Sequence, residues 1–167
     1  MTSANIHATC VVLGQLGASF DAPPDAGILL LGDSGSGKSD LALRMIERGA
    51  ILVADDRVDL SVFEQKLFAA VPGTIAGLLE VRGAGIVRMP SESRAQIMLA
   101  VLLVPTTDVP RMPELERFVP PSPLALAREN CPPLLRLSPF EESAPAKVAM
   151  AATAFAQNRF AMEVNRL

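Results

Sequence analysis

Residues 32–39 fit the pattern G-x-x-x-x-G-K-[ST], a phosphate-binding P-loop, and this pattern restricts the possible folds strongly. Residues 28–31 before the loop are all apolar, which predicts a buried strand. The apolar residues within 41–46 recur at helical spacing after it. A strand, a glycine-rich loop and a helix in that order distinguish a functional P-loop from a chance match. The sequence therefore predicts a protein that binds a nucleotide or another phosphate.

The residue types of the loop match the chemistry of phosphate binding. Its glycines allow the backbone to bend so that successive N–H groups point toward an anion, and the following helix adds a partial positive charge. Lys38 is predicted to reach the β- and γ-phosphates, and the Ser39 hydroxyl is predicted to hold Mg2+. The candidate nucleotide-binding residues are Gly32, Asp33, Ser34, Gly35, Ser36, Gly37, Lys38 and Ser39.

The hydrophobic pattern of the whole chain predicts an α/β fold, namely a P-loop-containing mixed sheet with flanking helices and antiparallel hairpins. Strands 28–31 and 51–54 should be parallel, because the predicted helix 37–48 connects them as a βαβ unit. Hairpins are predicted over 8–20 and over 57–71. The remaining predicted elements are strand segments at 78–81, 86–87, 97–104 and 134–137, a helical turn over 124–129 and a closing helix over 144–159.

The composition suits a single domain over residues 1–167. Half of the residues are hydrophobic, which allows a substantial core and excludes disorder as a description of the whole chain. The net charge is −3 and no basic tract is present, so nucleic acid is not expected as a partner. No apolar stretch approaches the roughly 18 residues that cross a bilayer, and no signal-peptide pattern is visible. We therefore expect a cytoplasmic protein that is not bound to a membrane.

Two adjacent carboxylates, Asp55 and Asp56, follow the predicted strand 51–54. Ligands of such sheets bind beyond the carboxyl ends of the strands, so these side chains should lie on the same edge as the P-loop. At that edge one carboxylate can hold Mg2+, and a carboxylate about 3 Å from an incoming hydroxyl can orient it and accept its proton. Adjacent carboxylates can face different directions and serve both purposes. The alternative interpretation is an ordinary solvated strand end.

A third candidate group lies in the stretch 80–85, which reads EVRGAG. Glu80 and Arg82 are two residues apart and therefore on one face of a strand, where they would supply a metal ligand and a cation near phosphate. A surface ion pair followed by a turn explains the same residues equally well. His7 is the sole histidine, and its position alone favours a solvent-facing residue near the terminus.

Taken together, these motifs resemble the catalytic domain of HPr kinase/phosphorylase. The resemblance rests on GDSGSGKS at 32–39, LVADDRV at 52–58 and LEVRGAGI at 79–86, in that order. The element Glu-x-Arg-Gly-x-Gly-Ile is that family's signature, which makes the third stretch a specific motif. The resemblance implies the fold of that catalytic domain, in a short form without the N-terminal regulatory domain. It also implies a homo-oligomer, since full-length members are hexamers.

The resemblance implies a role for each candidate residue. Asp55 resembles the base that accepts the proton of the substrate serine. The implied magnesium ligands are Ser39, Asp56 and Glu80. The further implied catalytic residues are Lys38, Arg82 and His7, the last of which matches a histidine at the family's active site.

The implied activity is ATP- and Mg2+-dependent phosphorylation of a serine in HPr or an HPr-like phosphocarrier of the sugar phosphotransferase system. A second implied reaction is phosphorolysis of the phosphoserine. Segment 89–94 is shorter and poorer in glycine than the family's loop at this place, so the sequence leaves that reaction open.

Two other functions fit the P-loop. One is a nucleotide-sensing regulatory module without transfer, and the other is a kinase for a small metabolite, which typically has an arginine-bearing helical lid where this chain has the proline-rich segment 105–133.

Overall fold

The computed structural model describes residues 2–161. Its strands are β1 (Ser3–His7), β2 (Thr9–Val12), β3 (Gly27–Leu31), β4 (Ile51–Ala54), β5 (Arg57–Phe63), β6 (Lys66–Ala70), β7 (Leu78–Val81), β8 (Gly85–Arg88), β9 (Arg94–Leu103), β10 (Glu116–Arg117) and β11 (Pro133–Leu137). Its α-helices are α1 (Lys38–Glu47) and α2 (Ala144–Ala156), and short 3-10 turns cover Ala18–Phe20, Thr106–Asp108 and Arg128–Asn130. Within residues 2–161, no helix combines the length and apolarity needed to span a membrane.

Strand β9 joins the two halves of the main sheet. Its first residues pair with β6 in antiparallel fashion, with Gln96 opposite Phe68, whereas its later residues pair in parallel with β3, with Val101 opposite Leu30. The strand order across the sheet is β1-β5-β6-β9-β3-β2-β4, and β11 also pairs in parallel with β9. Strand β9 is ten residues long, so it can take part in both halves. The predicted mixed α/β sheet with antiparallel hairpins is confirmed.

Strand β2 lies between β3 and β4 and is antiparallel to both, with Cys10 opposite Leu29 on one side and opposite Ala54 on the other. All four residues of β2 are buried, as expected of a strand paired on both edges inside a core. Strands β3 and β4 therefore run in the same direction, as predicted, but are not neighbours. Because β2 runs the opposite way, its N-terminal end lies at the edge where β3 and β4 end. This places His7 and Thr9 beside the P-loop.

The predicted hairpin over 8–20 is wrong. Strand β1 pairs instead with β5, and residues 14–20 contain turns and a 3-10 helix rather than a second strand. Gly14 and Gly17 have φ values of 56° and 78°, a left-handed conformation that suits glycine and ends the extended chain there. The alternation in the sequence did not reveal that β2 would insert between two other strands.

The other predicted elements need smaller corrections. The hairpin over 57–71 is confirmed, since β5 and β6 are antiparallel and turn at Glu64 and Gln65, both with positive φ. The closing helix predicted over 144–159 ends at Ala156. The helical turn predicted over 124–129 is displaced and covers Arg128–Asn130 as a 3-10 turn.

The core has two layers, one on each face of the sheet at β3. Ile28 and Leu30 pack in the layer that contains α1 and α2, whereas Leu29 packs in the opposite layer with residues of β5 and β6. Successive side chains of a strand point to opposite faces, so an apolar run fits a strand that is covered on both sides. All three side chains are fully buried. This packing fixes the strand that carries the P-loop.

Candidate active site

The P-loop follows β3 and leads directly into α1, as predicted. Gly32, Gly35 and Gly37 have φ values of 147°, 79° and 98°. Side chains with a Cβ atom rarely adopt such values, so the loop conformation requires glycine at these positions. The tip of the loop at 33–35 is exposed. The loop is therefore already bent, with its tip open to a ligand.

Lys38 is buried, and its side chain turns back along the loop. Its Nζ atom donates hydrogen bonds to the carbonyl oxygens of Gly32 (2.8 Å) and Asp33 (2.9 Å). Burial lowers the pKa of Lys38 from its ordinary value, and the charges of Asp55, Asp56 and Asp33 oppose this effect. A phosphate in the loop would give the ammonium group a further negative partner.

Ser36 lies inside the loop rather than at its tip. Its N–H donates a 3.0 Å hydrogen bond to the carbonyl of Asp33. Its Oγ atom is the one buried side-chain N or O atom within residues 2–161 that has no hydrogen-bond partner. Buried polar atoms are nearly always paired, so this hydroxyl fits a loop whose hydrogen bonding is completed by a ligand.

Asp55 is the buried member of the carboxylate pair, with 5% of its surface exposed. Its Oδ1 atom accepts hydrogen bonds from the hydroxyls of Ser39 and Thr9, each of 2.8 Å. Its Oδ2 atom accepts a 3.1 Å hydrogen bond from the backbone N–H of Glu80. This carboxylate therefore ties the start of α1, the start of β2 and strand β7 together.

Asp56 is the exposed member of the pair, with 68% of its side chain accessible. It has a positive φ of 69°, which is uncommon for a residue other than glycine. Its Oδ1 atom lies 3.1 Å from Nδ1 of His7, and the same nitrogen lies 3.0 Å from the Asp56 carbonyl oxygen. His7 is brought there by the pairing of β1 with β5. The two residues form a dyad that solvent can reach.

A cavity of about 290 Å³ brings the predicted residues together. The predicted residues outside the loop tip that line it are His7, Gly37, Lys38, Ser39, Asp56, Glu80 and Arg82. Glu80 and Arg82 reach the cavity on the hairpin formed by β7 and β8, which is separate from the main sheet. Asp55 lies directly behind the wall through its bond to Ser39. Loop residues Asp33 and Ser36 face a neighbouring cavity on the other side of the loop tip.

The oxygen atoms at Ser39 and Asp55 suit Mg2+, which prefers oxygen ligands. In the part of the chain that the structure describes, no three His, Cys, Asp or Glu side chains cluster closely enough to hold a metal by themselves. Magnesium sites in phosphoryl-transfer proteins commonly use one or two carboxylates together with phosphate oxygens and water. The donor set therefore fits Mg2+ that arrives with a nucleotide.

Sequence reasoning missed five residues that line the cavity, namely Thr9, Asp40, Leu43, Val81 and Phe140. Thr9 supplies a buried hydroxyl to Asp55, and Phe140 lines the cavity from the segment between β11 and α2. The one local signal for Thr9 is a hydroxyl in an otherwise apolar strand next to His7. Phe140 has no such signal, because it lies far from the P-loop along the sequence.

Comparisons with known proteins agree with this geometry. The family model for the HPr serine kinase C-terminal domain matches residues 22–101. The HPr kinase/phosphorylase of Clostridium tetani (strain Massachusetts / E88) is 54% identical over 65 residues, which are 39% of this chain and 21% of that protein. The HPr kinase/phosphorylase of Lacticaseibacillus casei (strain BL23) is 50% identical over 62 residues, 36% of this chain and 19% of that protein. The matched part thus spans about a fifth of the length of these relatives.

A solved structure of the Hpr(Ser) kinase/phosphatase from Coxiella burnetii has a similar fold, with a TM-score of 0.66 and 22% sequence identity. The similarity covers 96% of this chain and 99% of that chain. The P-loop, the carboxylate pair and the stretch 80–86 all lie within the segment matched by the family model, whereas His7 precedes it. Over residues 22–101 the chain is similar to the HPr serine kinase C-terminal domain, and over almost its whole length it has the fold of the Coxiella burnetii protein.

Proposed function

We propose that this protein is an ATP- and Mg2+-dependent protein serine kinase that phosphorylates HPr or an HPr-like phosphocarrier. The observation that carries the proposal is the meeting of Lys38 and Ser39 of the P-loop with Asp55, Asp56 and His7 around one cavity. The proposed substrate class rests on the family model that matches residues 22–101 and on the similar proteins, which are named HPr kinase/phosphorylases.

The P-loop is proposed to bind the β- and γ-phosphates of ATP. Its backbone N–H groups and the N-terminus of α1 offer positive potential at the loop tip. Lys38 can exchange its bonds to the carbonyls of Gly32 and Asp33 for bonds to phosphate oxygens. Because phosphate is more negative than a carbonyl, this exchange favours the charged form of the lysine.

We infer that the two carboxylates have different roles. These roles are the reverse of those that the family resemblance implies. Asp55 lies 2.8 Å from the Ser39 hydroxyl, which supports a role for this pair in holding Mg2+, directly or through water. When bound, the metal supplies positive charge to the β- and γ-phosphates. Asp56 is exposed at the cavity beside His7, which supports a role in receiving the substrate serine.

In the proposed transfer, the serine oxygen of the carrier attacks the γ-phosphorus. A new phosphorus–oxygen bond forms, the bond from the γ-phosphorus to the bridging oxygen breaks, and ADP leaves with the electron pair. The serine proton passes to the carboxylate of Asp56. Lys38 and Arg82 line the same cavity and can stabilise the charge that develops on the transferred group.

The test is transfer of labelled phosphate from ATP to HPr of the same organism. Lys38→Met should abolish the transfer. Asp55→Asn should raise the Mg2+ concentration needed for half the maximal rate. Asp56→Asn should lower kcat by about 10²- to 10⁴-fold, the usual contribution of acid–base catalysis, with an unchanged Mg2+ requirement. Asp25→Asn, in the exposed turn before β3, is the matched control.

Other outcomes would point elsewhere. If Asp55→Asn lowers kcat and Asp56→Asn raises the Mg2+ concentration needed for half the maximal rate, the proton acceptor is Asp55, as the resemblance implies. ATP binding without labelled product on any carrier would favour the nucleotide-sensing module. A parallel assay with phosphorylated carrier and inorganic phosphate, read out as pyrophosphate, tests for phosphorolysis.

A further inference from the structure

A second cavity, of about 570 Å³, lies on the other side of the P-loop tip. Ligand pockets typically have volumes of about 300–1,000 Å³, so this one could hold a small molecule. It borders the phosphate cavity along Ser34, Gly35 and Phe140, which line both. A ligand with phosphates in the first cavity can therefore extend over the loop tip into the second.

Phe140 is an exposed aromatic side chain at the boundary of the two cavities, with 71% of its surface accessible. Its ring lies against the P-loop, because a Cβ atom added at Gly37 would be 3.1 Å from Cζ of Phe140. An apolar ring in solvent at this place contributes nothing to the core. It offers a flat face next to a site for phosphates.

The backbone that carries Phe140 is fixed to α1 by arginine side chains. Arg44 donates hydrogen bonds to the carbonyls of Pro139 and Glu141, the latter at 3.2 Å. Arg48 donates a 3.2 Å hydrogen bond to the carbonyl of Glu142. The backbone of Phe140 is thus held in place relative to the P-loop before any ligand binds, which reduces the entropy lost on binding.

The lining of the second cavity also includes two side-chain hydroxyls, those of Thr106 and Ser138. Thr106 Oγ1 donates a 3.0 Å hydrogen bond to Ser138 Oγ, and Ser138 is buried. A hydroxyl can donate or accept, so this pair does not distinguish the polar edges of different bases. The cavity therefore combines an aromatic face with hydroxyls that can act as hydrogen-bond donors or acceptors.

We propose that the second cavity binds the nucleoside of the nucleotide whose phosphates occupy the P-loop, with the base stacked on Phe140. The proposal rests on the function proposed above and adds the nucleoside subsite to it. Aromatic stacking is tolerant of base identity because every base has a π-face. The site therefore holds a base without selecting it, and ATP and GTP bind with affinities within about tenfold of each other.

The test compares two ligands by calorimetry in the presence of Mg2+, namely ATP and inorganic tripolyphosphate, which has no nucleoside. Phe140→Ala should weaken ATP binding about tenfold or more, as expected for the loss of one base–aromatic stack, and leave tripolyphosphate binding unchanged. Phe140→Trp should retain ATP binding. Phe63→Ala removes a similarly exposed ring at the distant β5–β6 hairpin and should affect neither ligand.

The outcomes separate this inference from the proposed function. If Phe140→Ala weakens both ligands equally, or neither, the nucleoside site is wrong and the phosphate site stands. A preference for ATP over GTP of a hundredfold or more would overturn the claim that the base is held without being selected. If the unaltered protein binds neither ATP nor tripolyphosphate, the proposed function fails and the nucleoside site fails with it.

Discussion

The hydroxyl of Thr9 donates a 2.8 Å hydrogen bond to Oδ1 of Asp55, the same oxygen that accepts a hydrogen bond from Ser39. Thr9 is fully buried and Asp55 is nearly so, hence the carboxylate depends on protein donors rather than on water. The two residues are 46 positions apart and meet because β2 lies beside β4. Thr9 is therefore a positioning residue for the carboxylate that we propose to hold Mg2+.

Thr9→Val keeps the shape of this side chain and removes its donor. A hydrogen bond to a charged group contributes about 1.5–3 kcal/mol, and we expect the free energy of unfolding to fall by about that amount. The loss is not larger because Ser39 and Glu80 still donate hydrogen bonds to the carboxylate. Urea denaturation measures the change in the free energy of unfolding. Thr153→Val is the matched control, since Thr153 is also fully buried but donates to a neutral carbonyl, and its loss should be about 1 kcal/mol or less.

A double-mutant cycle tests whether this effect acts through the carboxylate. In the Asp55→Asn background, Thr9 faces a neutral amide, so Thr9→Val should destabilise the protein less than it does in the unaltered protein. Equal losses in the two backgrounds would show that Thr9 acts through packing alone.

Burial of Lys38 makes stability depend on pH in a definite direction. Its pKa in the folded protein is lower than the ordinary value of 10.5, mainly through burial. The unfolded chain therefore holds this proton more tightly, and the resulting penalty on the folded state disappears as the pH rises through the lowered pKa toward 10.5. Relative to Lys38→Met, the unaltered protein should gain stability with rising pH in the window below 10.5. Urea denaturation of both proteins across that window gives the difference between their free energies of unfolding. If this difference stays constant or falls as the pH rises, the pKa of Lys38 is not lowered in the folded protein.

Local sequence predicted the elements around the P-loop well. The apolar run before the loop, its glycines and the helical spacing after it all lie within about twenty consecutive residues, and β3 and α1 occur where predicted. The hairpin of β5 and β6 was equally predictable, because its alternating pattern and its turn are both local. Asp56, Glu80 and Arg82 reach the cavity because each lies at or near the end of a strand.

The rest of the site depends on pairings between distant segments. The insertion of β2 between β3 and β4 brings His7 and Thr9 to the carboxylates, and no local pattern specifies which strands a buried strand will join. Phe140 reaches the P-loop because Arg44 binds the backbone on either side of it. Those bonds are made to carbonyl groups, which every residue has, so the sequence around Phe140 does not reveal them.

The glycines of the P-loop should differ in their tolerance of a side chain. Both Gly35 and Gly37 have a positive φ, so alanine at either position should destabilise the protein by about 1–2 kcal/mol through backbone strain. A Cβ atom at Gly35 meets nothing within 4 Å, whereas one at Gly37 would lie 3.1 Å from atoms of Pro139 and Phe140. Gly37→Ala should therefore be the more destabilising change by urea denaturation, and it should also weaken tripolyphosphate binding more than Gly35→Ala. The reverse order would contradict the contact between the loop and the segment that carries Phe140.

The His7–Asp56 dyad should affect transfer rather than nucleotide binding. His7→Ala leaves the P-loop untouched, so KM for ATP should be unchanged, while kcat should fall by about tenfold or more because Asp56 loses the neighbour that orients it. Stability should change by less than about 1 kcal/mol, since the pair is solvent-exposed. His7→Gln retains a hydrogen-bonding side chain and should recover part of kcat. In the Asp56→Asn background, His7→Ala should cause little further loss, because residues that act as a unit are not additive. Independent, multiplicative losses in the double variant would show that His7 serves the reaction by a route other than Asp56.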